Sequence, residues 1–245
     1  MLHHIDIAEL KGKVDIGIIT IREDEYEAIL QRFPTEHFSV GHQTYSISKF
    51  LTSVGDEYVI ASVRCPEQGN LQGQAVARDI IEDLNPNLIL LVGIAGAVPD
   101  YEYTLGDVLL AARLHDFNVS ASIEGKNQQT TQQFAASGGP MHPVVQSLIG
   151  ALPAITIQLN EWNTQEALTV PRPEVKVTLK SLYGDDAWQK KVRECLNRYF
   201  GKKSFRQHPK AFGGSVASSD TLVKNTQLVE QWLENSRQIK GIEME

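Results

Sequence analysis

Leu88-Ile89-Leu90-Leu91-Val92 is an unbroken apolar run that opens directly into Gly93-Ile94-Ala95-Gly96-Ala97. With no polar face, such a run reads as a parallel strand covered on both sides. The glycines after it let the backbone turn tightly and come close to whatever lies at the strand end. Ahead of it, Gln68-Gly69-Asn70 opens a helix with an apolar face of Leu71, Ala75, Val76, Ile80 and Leu84, which Asn85-Pro86-Asn87 stops. Further back, the β-branched run Val14 to Thr20 enters Glu23-Asp24-Glu25, then Tyr26, Ala28, Ile29 and Phe33 at helical spacing up to Pro34. Acids in a first helical turn complement the helix dipole, so this segment reads as a strand feeding a helix.

Between these units, Tyr45–Phe50 and Tyr58–Val63 alternate like antiparallel neighbours with Gly55-Asp56 as their turn. Later come the strand Val108–Ala112, the strand Phe212–Ala217 entering Ser218-Ser219-Asp220, a helix over Thr226–Ser236, and a final strand from Gln238. Residues 118–210 are harder to read: Ser120–Gly139 is rich in Gln, Ser and Gly and is expected to be a loop. Met141–Leu152 and Ala187–Phe200 read as amphipathic helices. His115-Asp116 is expected at a turn after its strand. Alternating strands and short connections favour one α/β domain with a mostly parallel or mixed sheet, whose ligands gather at the C-terminal ends of the strands. The absence of G-x-G-x-x-G after a first strand, where Gly17 sits inside the run, sets aside a dinucleotide-binding dehydrogenase.

Bulk properties narrow the chemistry. At 245 residues, with 42% hydrophobic and 22% charged residues, the chain can bury a substantial core. Its net charge of −7 disfavours nucleic acid as the main partner while allowing a local basic pocket for a small anion. Cys65 and Cys195 stand far apart with no metal-ligand spacing, which argues against a disulfide frame or a zinc site. No signal peptide and no spanning run is visible, so a cytoplasmic protein without membrane or nucleic-acid partner is expected.

Read in order, D-I-G-I-I-T-I-R-E-D-E, G-N-L-Q-G-Q-A through N-P to L-L-V-G-I-A-G-A, L-G-D-V-L-L-A with H-D-F-N-V, G-G-S-V-A-S-S-D-T-L-V and G-I-E-M-E resemble the nucleoside phosphorylase/nucleosidase superfamily. The resemblance is to its 5′-methylthioadenosine/S-adenosylhomocysteine nucleosidase branch and to relatives embedded in signalling or defence proteins. It implies a three-layer nucleoside phosphorylase-type α/β fold with a mixed, mostly parallel central sheet. An N-terminal extension over 1–13 and a domain over 14–245 with a long insertion at about 118–210 follow. The family's last strand and closing helices are expected beyond Glu245. Its proton-donating aspartate lies on that strand, which leaves residues 1–245 by themselves short of the full catalytic set.

By the same resemblance Glu25 positions the attacking water and relays protons. Glu245 binds the ribose 2′- and 3′-hydroxyls, Glu243 assists and Met244 packs under the sugar. The main chain at Leu222 and Val223 reads the base edge, Leu222 standing where an aromatic residue is common; Asp220 is expected to form an Asx-type turn. Ile94, Ala95 and Gly96 approach the sugar and the water. Phosphorolytic relatives tend to carry a hydroxyl where Ile94 stands, so water is the expected nucleophile. Arg22 and Gln68 fall where thioether-cleaving relatives line an apolar pocket, and they suit an anionic 5′ group, as in ATP. The expected function is therefore a purine nucleoside or nucleotide N-glycosidase releasing adenine, an effector in sensor-fused forms, with no cofactor or metal and with a homodimer or larger homo-oligomer as its assembly. A phosphate-dependent phosphorylase and a non-catalytic nucleotide-sensing module remain the alternatives.

Overall fold

The computed structural model describes residues 3–124, 130–158, 163–164, 175, 182, 184–220, 223 and 226–243. The chain divides into two compact units, one running to Ile94 and the other over Ala95–Glu243.

The first unit is a six-stranded mixed sheet in the order β1-β3-β4-β5-β2-β6, made of β1 (His3–His4), β2 (Ile16–Thr20), β3 (His37–Val40), β4 (Thr44–Leu51), β5 (Glu57–Arg64) and β6 (Leu88–Leu91). β2 lies between β5 and β6 and runs parallel to both, Thr20 pairing with Arg64 and Ile19 with Leu91. β4 and β5 pair antiparallel as the alternation over 45–63 predicts, and β3, which the sequence did not announce, adds antiparallel to β4. Helix α1 (Ile7–Leu10) is capped by the Asp6 carboxylate, which accepts from the Ala8 N–H, and it sinks Leu10 into the core. Thus part of the expected N-terminal extension is packed into the unit. Helix α2 (Glu23–Arg32) follows β2, and α3 (Asn70–Leu84) crosses between β5 and β6. Val76, Ile80 and Leu84 of α3 are buried one turn apart against Ile19, Val63 and Val14. Gly17 of β2 leaves room for the Ile80 side chain, which a Cβ there would crowd. Asn85 ends α3 in the left-handed conformation at φ 48°.

Two expectations change here. Leu71 is exposed, because at 3.6 residues per turn it falls opposite the Val76–Ile80–Leu84 stripe. β6 is parallel as expected but is the edge of its sheet, and Leu88, Leu90, Leu91 and Val92 are exposed rather than covered on both faces. An apolar run reports hydrophobicity but not what lies over it.

The second unit has a five-stranded sheet in the order β7-β11-β10-β8-β9, from β7 (Gly96–Ala97), β8 (Val108–Glu124), β9 (Thr130–Pro140), β10 (Ala211–Ser218) and β11 (Ile239–Glu243). β8, β10 and β11 are mutually parallel neighbours, while β7 and β9 pair antiparallel at the two edges. Helices α4 (Pro143–Gln158), α5 (Asp186–Phe200) and α6 (Thr226–Asn235) accompany it. Its core is aromatic: Phe117 stacks on Trp232 with ring centroids 4.8 Å apart and planes 5° from parallel, and Phe134 meets both edge-on.

The expected loop over Ser120–Gly139 is instead a hairpin of β8 and β9, Val119 pairing with Ala135 and Glu124 with Thr130. His115-Asp116 correspondingly lies inside β8, paired to β10 and β9, and not at a turn. Among the described residues no helix is long and apolar enough to cross a membrane.

Candidate functional site

The C-terminal ends of β2, β5 and β6 lie side by side on one edge of the first sheet, since these three strands run parallel. Three of the sequence-selected segments leave from that edge: Arg22–Glu25 after β2, Gln68–Asn70 after β5 and Gly93–Ile94 after β6. In open α/β sheets this is where ligands bind.

Glu25 occupies the third position of α2 and is buried, at 7% exposure. Its Oε2 accepts the N–H of Arg22 at 2.9 Å and of Ile21 at 3.3 Å, closing the helix start as the reciprocal half of a capping box does. Its Oε1 accepts the N–H of Ile94 at 2.8 Å. One carboxylate thereby ties the exit of β2 to the exit of β6. Both oxygens are engaged by main-chain donors, and this fixes the group's orientation. Glu23 and Asp24, its neighbours in the acidic cluster, are exposed.

Arg22 turns outward. Its guanidinium forks onto Asp24 through Nε at 2.8 Å and Nη2 at 2.7 Å, an exposed pair. The hydrogen bond with Arg22, opposed by a smaller desolvation, holds the Asp24 carboxyl below its ordinary range, and the same bond raises Arg22. Gln68 is exposed just ahead of α3, whose start at Gly69 takes a φ of 121° that favours glycine. Sequence reasoning passed over Arg64. It ends β5 in register with Thr20, is exposed, and takes part in no ion pair among the described residues. Its signal was its place as the last residue of the alternating run before Cys65-Pro66.

In the second unit, Gly96, the last residue of G-x-A-G, pairs antiparallel with Ile242 and opens the edge strand β7. Register sets Asp116, Ser218 and Glu243 in a row across β8, β10 and β11. Glu243 is half-buried and its carbonyl accepts from Ser219 N–H at 3.3 Å. Asp220 is exposed, and its N–H donates to the Asn118 side chain at 2.7 Å. Val223 packs against the Phe117–Trp232 core. His115 Nε2 lies 3.1 Å from Ser236 Oγ, and burial, helped by Arg113, lowers the histidine. Asp116 accepts Asn118 N–H at 2.9 Å and the Ser137 hydroxyl at 3.3 Å beside the β8 bulge, a structural use. Leu222, Met244 and Glu245 lie outside the described residues. Cys65 and Cys195 are buried thiols, and the described residues contain no cluster able to hold a metal ion.

The chain resembles several solved structures in fold. S-adenosylhomocysteine nucleosidase from Streptococcus pyogenes, in complex with 5-methylthiotubericidin, superposes with a TM-score of 0.55 at 16% identity, over 95% of this chain and 74% of that one. The 5′-methylthioadenosine/S-adenosylhomocysteine nucleosidase from Neisseria meningitidis, bound to methylthio-immucillin-A, gives 0.55 at 14% identity, over 94% and 75%. That from Colwellia psychrerythraea, in complex with adenine, gives 0.55 at 14%, over 96% and 74%. No curated protein matches the chain. In sequence, residues 15–245 match the Phosphorylase superfamily, a span that takes in both compact units. The chain belongs to the Phosphorylase superfamily.

Proposed function

We propose that the chain is a purine nucleoside or nucleotide N-glycosidase that hydrolyses the N-glycosidic bond, releases adenine and prefers substrates with an anionic, ATP-like 5′ group. The observation that carries this reading is the Glu25 carboxylate, buried and pinned by three main-chain N–H groups at the C-terminal ends of parallel strands. Loss of the base builds positive charge on the ribose. A carboxylate already oriented stabilises that charge without reorganising and directs a water at the anomeric carbon.

In this reading Glu245 takes the ribose 2′- and 3′-hydroxyls, with Glu243 and Met244 beside it. Ala95 and Gly96 present main chain to the sugar, and Leu222 and Val223 present it to the base edge. Water is favoured over phosphate because Ile94 contributes its N–H to Glu25 and has no hydroxyl to offer an anion. Arg22, Arg64 and Gln68, exposed at neighbouring strand ends, support the anionic 5′ group. The Arg22–Asp24 pair is solvent-screened and therefore easily exchanged for a phosphate. Residues 14–245 then work as one domain, as a homodimer or larger homo-oligomer.

Chromatographic measurement of adenine release by the full-length protein from ATP, AMP and methylthioadenosine, with and without inorganic phosphate, tests the reading. Release without phosphate, fastest from ATP and ~10²- to 10⁴-fold slower in Glu25→Gln, is the expected result. Strict phosphate dependence would make the chain a phosphorylase. Faster methylthioadenosine turnover removes the anionic 5′ preference, and tight binding without turnover leaves a nucleotide-sensing module.

A further inference from the structure

The chain's acidity is unevenly spread. Between Lys190 and Lys203 stand six cations, Lys190, Lys191, Arg193, Arg198, Lys202 and Lys203, against one acid, Glu194, in a chain whose net charge is −7. All six are exposed. The first four share the outward face of α5, because its other face is committed to the core through Cys195, Leu196 and Tyr199. None of the six forms an ion pair among the described residues. The one acid among them is engaged otherwise: Glu194 accepts the Tyr101 hydroxyl at 2.7 Å.

Aromatic rings border these cations. Phe205 is 63% exposed, with the Arg198 guanidinium 4.3 Å from its ring centroid, and Tyr101 is 45% exposed, with Lys191 5.8 Å and Arg198 5.9 Å from its centroid. Phe205 N–H also donates to the Arg198 carbonyl, which fastens the ring beside the end of the helix. Unpaired cations on a fixed scaffold attract phosphates, and exposed rings offer faces on which bases stack. Besides its four cations, α5 exposes only Asp186, Ala187, Glu194 and Asn197, none of them a large apolar side chain able to enter a bilayer, so the combination fits a nucleotide strand better than a lipid surface.

We propose that the outward face of α5, together with Lys202, Lys203 and the rings of Phe205 and Tyr101, is a docking surface for single-stranded nucleic acid. The proposal does not depend on what the edge carrying Glu25 catalyses.

Fluorescence anisotropy of the whole chain with a labelled single strand of about 12 nucleotides provides the test. Binding is expected at ~50 mM salt and should fall steeply toward ~200 mM, with a log–log slope of about −3.5 to −4.2 for five or six neutralised phosphates. Lys191→Glu with Arg198→Glu should weaken it at least ~10-fold and flatten the slope, and Lys202→Glu with Lys203→Glu does the same without touching the helix. Phe205→Ala should weaken it roughly tenfold at an unchanged slope, as loss of stacking requires. The proposal is overturned by absence of binding at ~50 mM salt, by equal binding of the charge-reversed variants, or by equally tight binding of duplex DNA, an acidic polypeptide or anionic vesicles.

Discussion

Glu25 accepts three main-chain N–H groups from two separate segments, so its removal is felt in stability as well as in chemistry. Glu25→Ala strands those donors at a buried position and should cost about 1–3 kcal/mol in urea unfolding. Glu25→Gln, which keeps one carbonyl oxygen, should cost less. A second residue-scale network lies at the C-terminal end of α3. Asp83 accepts from the Tyr45 hydroxyl at 2.7 Å and from His42 N–H at 2.7 Å, and it lies 2.6 Å from His42 Nδ1. This fastens the turn between β3 and β4 to the helix. The bond to Asp83 raises His42 above its ordinary range. Burial pushes Asp83 up, but the hydrogen bonds from Tyr45 and His42 outweigh it and leave the carboxyl lowered. A raised histidine contributes its stability fully below its ordinary pKa of about 6.5 and loses it as pH climbs through the folded value. A lowered carboxylate contributes above about 3.9 and loses it as pH falls. The melting-temperature difference between the parent and His42→Ala should therefore be largest near pH ~5–6 and shrink as pH climbs through the raised folded value; a flat difference would remove the ion pair from the account. Gly41→Ala should release the same turn, because its Cβ would collide with the Asp83 carboxylate.

Among the elements, the β8–β9 hairpin departs furthest from the sequence reading. Its signal was present in Val119, Ala121 and Ile123 alternating with Ser120, Ser122 and Glu124, but a Gln/Ser/Gly-rich composition hid it. What holds the hairpin is cross-strand pairing, which a linear reading cannot count. Gly138 is a pivot there: it has φ 91°, and a Cβ would run into the Leu114 carbonyl. Gly138→Ala should destabilise the hairpin by roughly 1–3 kcal/mol and raise amide exchange over β9. α3 was legible in detail because propensity, the Asn85 stop and the Val76–Ile80–Leu84 spacing agree. Ile80→Ala, at a position with no exposure, should cost about 2–5 kcal/mol.

At the scale of the whole molecule, each unit has its own core, aliphatic in the first and aromatic in the second. All three tryptophans follow Ile94 in the sequence, and the described ones, Trp188 and Trp232, lie in the second unit. Tryptophan emission should therefore follow the second unit, and Ile80→Ala should shift the far-ultraviolet transition more than the emission transition; equal shifts would mean that the two cores unfold as one. The net charge of −7 likewise averages over unlike regions. It argued against nucleic acid because a sum cannot show that the cations of α5 are gathered on one exposed face.

The order β2, α2, β4, β5, α3, β6 in the first unit, the acid at the third position of α2 and the G-x-A-G exit of β6 were readable from the chain, because periodicity, capping and glycine are local properties. Tertiary structure alone brought the N–H of Ile94, 69 residues away, onto the Glu25 carboxylate, put β6 at a sheet edge and aligned Asp116, Ser218 and Glu243 across three strands. Those outcomes depend on which segments become neighbours, and neighbours distant in sequence are chosen by the packing of the whole sheet.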